Sequence, residues 1–191
     1  MHTTDAIVLN IKDFGEFDQL VSLYTKKFGK LQAKVRSSKK ITSRQANFLH
    51  TPSVIKCSLV LGKQGYILSG VINKVSFGKV FSDIFALGYT LSFFNLVDSI
   101  IFDNQKDNKI WELLKQALQD SENLAHEQDK RNLWAKEKEW ILQLLEILGF
   151  GGKIDTSKIH SQKQLDYHLK HILENKLEQS VIFFGLNTNY D

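Results

Sequence analysis

Up to about residue 80 the apolar positions of the chain alternate with polar ones. Ile7, Leu9 and Ile11 fall on one face at period two, which predicts a strand over Asp5–Lys12. The loop Asp13–Asp18 follows, and Leu20–Lys26 resumes strand character, with Val21, Leu23 and Thr25 alternating against Ser22 and Tyr24. Lys26-Lys27-Phe28-Gly29 has the length and the glycine of a hairpin connection. In the third strand Leu31, Ala33 and Val35 share one face, and Lys30, Gln32, Lys34 and Arg36 share the other, so three cations line one side of a sheet. Ser37–Arg44 is a polar, basic loop, and Gln45–Leu49 reads as a short helical turn before Pro52. Val54–Leu61 and Tyr66–Phe77 are two further β-rich runs, joined by Gly62-Lys63-Gln64-Gly65. Five strands in about 75 residues predict a small closed or nearly closed barrel. The OB-fold is its commonest nucleic-acid-binding form, and pattern alone admits an SH3-like barrel as well.

Beyond residue 80 the spacing becomes helical. Phe81–Phe102 is almost continuously apolar and aromatic. Its length is enough for a bilayer span, which needs roughly 20 apolar residues. Asp83 and Asp98 lie inside it, and an Asp near the centre of a membrane helix costs about 2.5–3.5 kcal/mol, so a buried central helix is expected. Lys109–Leu118 and Asn132–Leu148 predict a second and a third helix, the latter stopped by Gly149, with Asp120–Arg131 as an exposed connection between them. Gly149–Lys153 reads as a flexible joint. Ser161-Gln162-Lys163-Gln164 has the form of a capping box and opens a last helix running to about Leu177. The expected fold class is therefore α+β: a five-stranded OB-type barrel over residues 1–79, followed by an all-α domain over residues 80–191.

Charge changes where the texture does. The 191 residues carry 25 Lys plus Arg and 21 Asp plus Glu, a net charge of only +4. Residues 1–80 hold 13 basic and 4 acidic side chains, a balance of +9, whereas residues 81–191 hold 12 and 17, a balance of −5. Such asymmetry points to a polyanion partner for the first part. The single cysteine, Cys57, excludes an intramolecular disulfide framework and any multi-thiolate zinc site or iron–sulfur cluster, and fits a reducing, cytoplasmic setting. Met1–Asp5 shows no basic segment leading into an apolar one, so no signal peptide is expected.

The candidate chemistry follows from this charge. Lys26, Lys27, Lys30, Lys34, Arg36, Lys39, Lys40 and Arg44 fall within 19 residues that contain no carboxylate. Cations that neutralise phosphates release counterions, the main source of non-specific nucleic-acid affinity. Tyr24 and Phe28 are the candidate base-stacking surfaces. The competing reading of the same cations is a solvated face. Asp13, Glu16 and Asp18 have the residue types of a divalent-metal nuclease site but sit in one short turn, where Asp and Glu are ordinary. His160, His168 and His171 are the only metal-like grouping, and surface histidines on an amphipathic helix are far commoner than a zinc site. Cys57, between Ile55 and Leu59, reads as a core residue. No phosphate-binding loop, G-x-S-x-G or dinucleotide fingerprint is present. Neither a catalytic residue nor a cofactor is expected.

Ile7-Val8-Leu9, Glu16-Phe17-Asp18-Gln19-Leu20-Val21, Leu23-Tyr24-Thr25, Gly29-Lys30 and the basic loop ending in Ser43-Arg44 together resemble the start of the bacterial recombination mediator family RecO. Pro52, Leu144–Phe150 and Leu165–Leu177 with Ser180–Phe183 are similar to later parts of that family. Many members carry a four-cysteine zinc module after the leucine-glycine turn; Gly151–Ser161 has no cysteine, so the chain resembles a short form without zinc. In the basic loop Ser37 and Ile41 stand where the family has Gly and Pro, which leaves the charge intact. The resemblance implies a non-catalytic protein of DNA repair, located in the cytoplasm at the nucleoid. Such a protein binds single- and double-stranded DNA, anneals strands and helps load the RecA recombinase onto DNA coated by single-strand-binding protein. Its implied partners are RecR and the acidic tail of single-strand-binding protein, with the RecA filament engaged indirectly and no membrane. The residues also admit a protein-interaction adaptor or an RNA-binding OB module.

Overall fold

The computed structural model describes residues 1–36, 49–75, 77–127 and 130–150, together with 159, 161, 163–165, 167, 169 and 170. Five strands form its N-terminal part: β1 His2–Phe14, β2 Asp18–Thr25, β3 Gly29–Val35, β4 Ser53–Gly62 and β5 Gly65–Val75. β1 is long enough to serve two neighbours. Its first half pairs antiparallel with β4, from His2 opposite Leu59 to Val8 opposite Ser53. Its second half pairs with β2, from Ala6 opposite Thr25 to Phe14 opposite Asp18. A short parallel contact, Ala33 with Tyr66 and Lys34 with Ile67, joins β3 to β5. The sheet thereby closes in the order β1-β2-β3-β5-β4. This is the five-stranded OB barrel anticipated from the alternation, followed by helices.

The barrel interior is filled by the inward positions of all five strands, among them Val8, Val21, Leu31, Ala33, Ile55 and Leu59. Here β1 departs from the simple reading of its pattern. Ala6, Ile7, Val8 and Leu9 are all fully buried, because Ala6 and Val8 point into the barrel while Ile7 and Leu9 point outward into the helical core. A register shift between Val8 and Asn10 then reverses the parity, and Ile11 packs against the barrel interior. Ile7 and Leu9 therefore do not share a face with Ile11: one extra residue in a strand swaps the sides of everything after it.

The helices are α1 Gly78–Ser82, α2 Ile84–Ile100, α3 Asn108–Leu124 and α4 Lys130–Ile147. The apolar run expected as one helix is divided at Asp83, whose carboxylate accepts from Phe85 N at 2.9 Å and Ala86 N at 3.1 Å and so caps α2. The same carboxylate accepts from His126 N at 2.6 Å, tying the start of α2 to the end of α3. α3 runs six residues beyond the predicted Leu118. Part of the expected polar connection is thus helix, because Asp120 and Ser121 face neighbours: Asp120 accepts from Trp140 Nε1 at 3.0 Å, and Ser121 Oγ meets Thr90 Oγ1 at 2.6 Å. Gly149, with φ of 83°, ends the α4 region as predicted. Ser161 caps a further helical turn, with its carbonyl 3.1 Å from Leu165 N. Buried Leu165 and Leu169 bring that turn onto the helical core. Among the described residues no helix is long and apolar enough to cross a membrane.

What holds the helices to the barrel is a polar clamp inside an apolar contact. Phe94, Val97 and Ile101 share one cluster with Ile7, Leu9 and Tyr24 of the barrel's outer face. Within it Asp98 accepts hydrogen bonds from Ser22 Oγ and from Asn10 Nδ2, the latter at 3.4 Å. Lys30 Nζ lies 3.4 Å from Asp98 Oδ1 and also donates to the backbone carbonyls of Asp98 and Ile101, the latter at 3.0 Å. The loop after α2 closes the seal: Asn104 N donates to Lys30 O at 2.7 Å, and Tyr24 Oη accepts from Asp107 N at 2.9 Å. Gly29 must be glycine at this point, since its φ is 72° and a Cβ would overlap the backbone of Gln105.

Asp98→Ala is expected to cost about 3–5 kcal/mol in urea unfolding, because Lys30 stays buried without its countercharge. Lys30→Met combined with Asp98→Leu, which removes both charges, is expected to recover most of that stability. Asp83→Ala is expected to cost about 1–2 kcal/mol through removal of the cap. The hydrogen bond from His126 N, followed by those from Ala86 and Phe85, holds the Asp83 carboxyl below its ordinary value of 3.8. A carboxyl depressed by folding stabilises above that value and loses its effect as pH falls through the lowered one. The difference between wild type and Asp83→Ala should therefore be full at neutral pH and shrink in strong acid.

Candidate nucleic-acid interface

The face bearing the predicted row of cations is divided by α2. Lys30 is only 8% exposed and belongs to the clamp, so it is withdrawn from the expected DNA contacts. Tyr24, withdrawn with it as a stacking surface, has no exposure, and burial pushes its phenol above the ordinary value. Lys26 and Lys27 are exposed at one end of β2. Beside them Phe28 is half-buried and plugs the barrel, its ring stacked on Tyr66 with centroids 6.5 Å apart and edge-on to His2 at 5.4 Å. Lys34 and Arg36 lie at the other end of β3, about 20 Å away at 3.3 Å per residue. Lys39, Lys40 and Arg44 lie outside the described residues. The structure thus does not bring the described cations into one patch.

The far end has the richer chemistry. Lys12 stands opposite Leu20, and Leu20 stands opposite Lys34, so two cations occupy one row across β1, β2 and β3. Lys12 and Arg36 are exposed and Lys34 is partly so. Next to this row, at the β1–β2 turn, Phe14 and Phe17 are 50% and 45% exposed. Lys34 Nζ sits 4.7 Å from the centroid of the Phe14 ring and 2.9 Å from Asp18 Oδ2. An OB barrel binds oligonucleotides on its strand 2–3 face and at the loops flanking it, by backbone charge and by stacking on aromatic rings. Lys12, Phe14 and Phe17 were missed from the pattern. Lys12 and Phe14 reach this face only through the shift at Val8/Asn10. The signal for Phe14 and Phe17 was nonetheless present, as two large apolar rings in an otherwise polar turn.

A closed OB barrel whose one face carries a helical bundle, and whose free end presents cations beside exposed rings, defines the protein as an OB-fold protein with a helical extension. Residues 1–76 match the family described as Recombination protein O N terminal. The match lies in the barrel, and over a longer stretch the chain is similar to DNA repair proteins of the RecO family. It is similar to the DNA repair protein RecO of Bacillus mycoides, with 31% identity over 120 residues covering 60% of this chain and 46% of the relative. The DNA repair protein RecO of Symbiobacterium thermophilum is 27% identical over 150 residues, 78% of this chain and 57% of the relative. That of Caldanaerobacter subterraneus is 25% identical over 163 residues, 84% and 63%. The chain thus spans about half the length of the first two.

The remaining candidate chemistry has plain structural places. Asp18 faces Phe14 across the β1–β2 turn and holds Lys34, while Asp13 and Glu16 are exposed beside it. Among the described residues no group of three His, Cys, Asp or Glu side chains is arranged to hold a metal ion; His160, His168 and His171 lie outside them. Cys57 is buried in the barrel core, and burial, with a smaller contribution from Asp5, pushes its thiol up to about 12. A thiol reagent at neutral pH is therefore expected to leave the folded protein unlabelled and to react only on unfolding, which Ellman's assay in and out of denaturant measures.

Proposed function

We propose that this chain is a non-catalytic, DNA-binding mediator of repair and recombination. In this reading it binds single- and double-stranded DNA in the cytoplasm, at the nucleoid. It anneals complementary strands and helps to load recombinase onto DNA coated by single-strand-binding protein. RecR and the acidic tail of single-strand-binding protein are its proposed partners, and the RecA filament is reached through them.

The observation that carries this reading is the exposed end of an OB barrel similar to that of the RecO family, where Lys12, Lys34 and Arg36 adjoin Phe14 and Phe17. Cations on such a row hold phosphates without reading sequence. Two strands brought to one basic surface repel each other less, which favours annealing. Nothing in the reading requires a reaction. Lys26 and Lys27 would serve as a separate, outlying contact, since the clamp at Lys30 lies between them and the row.

Fluorescence anisotropy with a labelled single strand, repeated at several salt concentrations, tests the proposal. Lys12→Ala with Arg36→Ala is expected to weaken binding and to flatten the log–log salt slope by roughly 0.7 for each phosphate no longer neutralised. Unchanged affinity and slope in this folded variant would remove the surface from the interface. Absence of salt-dependent binding by the wild type at low ionic strength would favour the adaptor, and preference for a matched RNA strand would favour an RNA-binding module.

A further inference from the structure

We infer that Phe14, Lys34 and Asp18 form a latch that makes this end of the barrel selective for unpaired over duplex nucleic acid. The inference rests on the proposed function and names which form of the ligand the site prefers. Lys34 is held between two partners, the Asp18 carboxylate at 2.9 Å and the Phe14 ring at 4.7 Å. The ammonium thus lies over a ring that is half-open to solvent, Phe14 being 50% exposed. A stacked base needs that same space, at an ordinary carbon contact of about 3.5–4.0 Å. Base and ammonium exclude one another there.

The latch opens at little cost. Lys34 and Asp18 are both partly exposed, their side chains at 33% and 26%, and an ion pair in such a setting holds weakly. A nucleic-acid phosphate replaces the carboxylate as partner for Lys34, which lies in the same row as Lys12. Phe14 is then uncovered for a base, with Phe17 in the same turn as a second ring. A single strand supplies both the phosphate and a free base face, so it gains from both halves of the exchange. A duplex supplies the phosphate alone, because its base faces are already stacked. The stacking half of the exchange is therefore available only to unpaired bases.

The test measures anisotropy of the whole chain with one labelled oligonucleotide, as a single strand and as a blunt duplex, across several salt concentrations. Phe14→Ala is expected to weaken single-strand binding roughly 5- to 150-fold, the equivalent of about 1–3 kcal/mol for one stacked base, and to leave duplex affinity and both salt slopes unchanged. Phe14→Leu keeps the apolar bulk without the ring and should behave in the same way, which separates stacking from a local loss of fold. Asp18→Asn, which removes the pair that holds Lys34 beside the ring, is expected to strengthen binding of both forms by up to about fivefold, since each presents a phosphate to Lys34, and to leave the preference for the single strand in place. Equal effects of Phe14→Ala on both forms, or none on either, would overturn the latch while leaving the DNA-binding proposal intact. A wild type that binds neither form at low salt would overturn both.

Discussion

The Asp98 carboxylate, placed by α2 against the outer face of the barrel, is the constraint on which the arrangement of the rest depends. It is a charged group largely withdrawn from water, and such a group is tolerated only when its oxygens are met by donors of opposite or matching polarity. Asn10, Ser22 and Lys30 meet it from three adjacent strands. Those donors sit where they do because β1, β2 and β3 are in one register, so a slip in any one of the three would leave both the carboxylate and Lys30 buried without partners. An apolar contact alone, Ile7 and Leu9 against Val97 and Ile101, would hold α2 on the barrel but would not fix its position along the strands. The polar clamp does both.

Several features of the barrel follow from that seat. β1 is buried on both faces, as a strand between two cores must be, and this accounts for the unbroken apolar run Ala6-Ile7-Val8-Leu9. The glycine at position 29 is demanded by the loop that α2 delivers against it. The open part of the β1–β3 face is reduced to its far end, so any ligand on this face must meet Lys12, Lys34 and Arg36 and the rings of the β1–β2 turn rather than the strand centres. The helical part therefore shapes the nucleic-acid surface by covering some of it.

The barrel and the helical character of the rest were legible in the sequence because both rest on periodicity, and Leu31, Ala33 and Val35 do line the interior as their alternation indicates. Helix ends were read less well. Asp83 looked like an interruption in an apolar run and is a cap; Asp120 and Ser121 looked like loop residues and face Trp140 and Thr90. Asp120 and Ser121 find their partners on another helix, and Asp83 finds its own in the first turn that follows it and in His126, none of which local spacing shows. The parity of β1 was obscured for a different reason, since the register shift after Val8 leaves no mark in composition.

Lys30 and Lys34 show why the interface was harder to read than the fold. They lie on the same side of one strand, four residues apart, and have the same local sequence character. One is bound into the protein by a carboxylate 68 residues away, and the other is held loosely by a carboxylate across the adjacent strand. The difference is solvation, not charge. A cation that has exchanged water for Asp98 and two backbone carbonyls cannot leave them for a phosphate without unseating α2 from the barrel. A cation that remains one-third exposed can change partners with every strand that diffuses past. Positive charge along a strand therefore indicates where a polyanion is welcome only after the helices have taken their share of it.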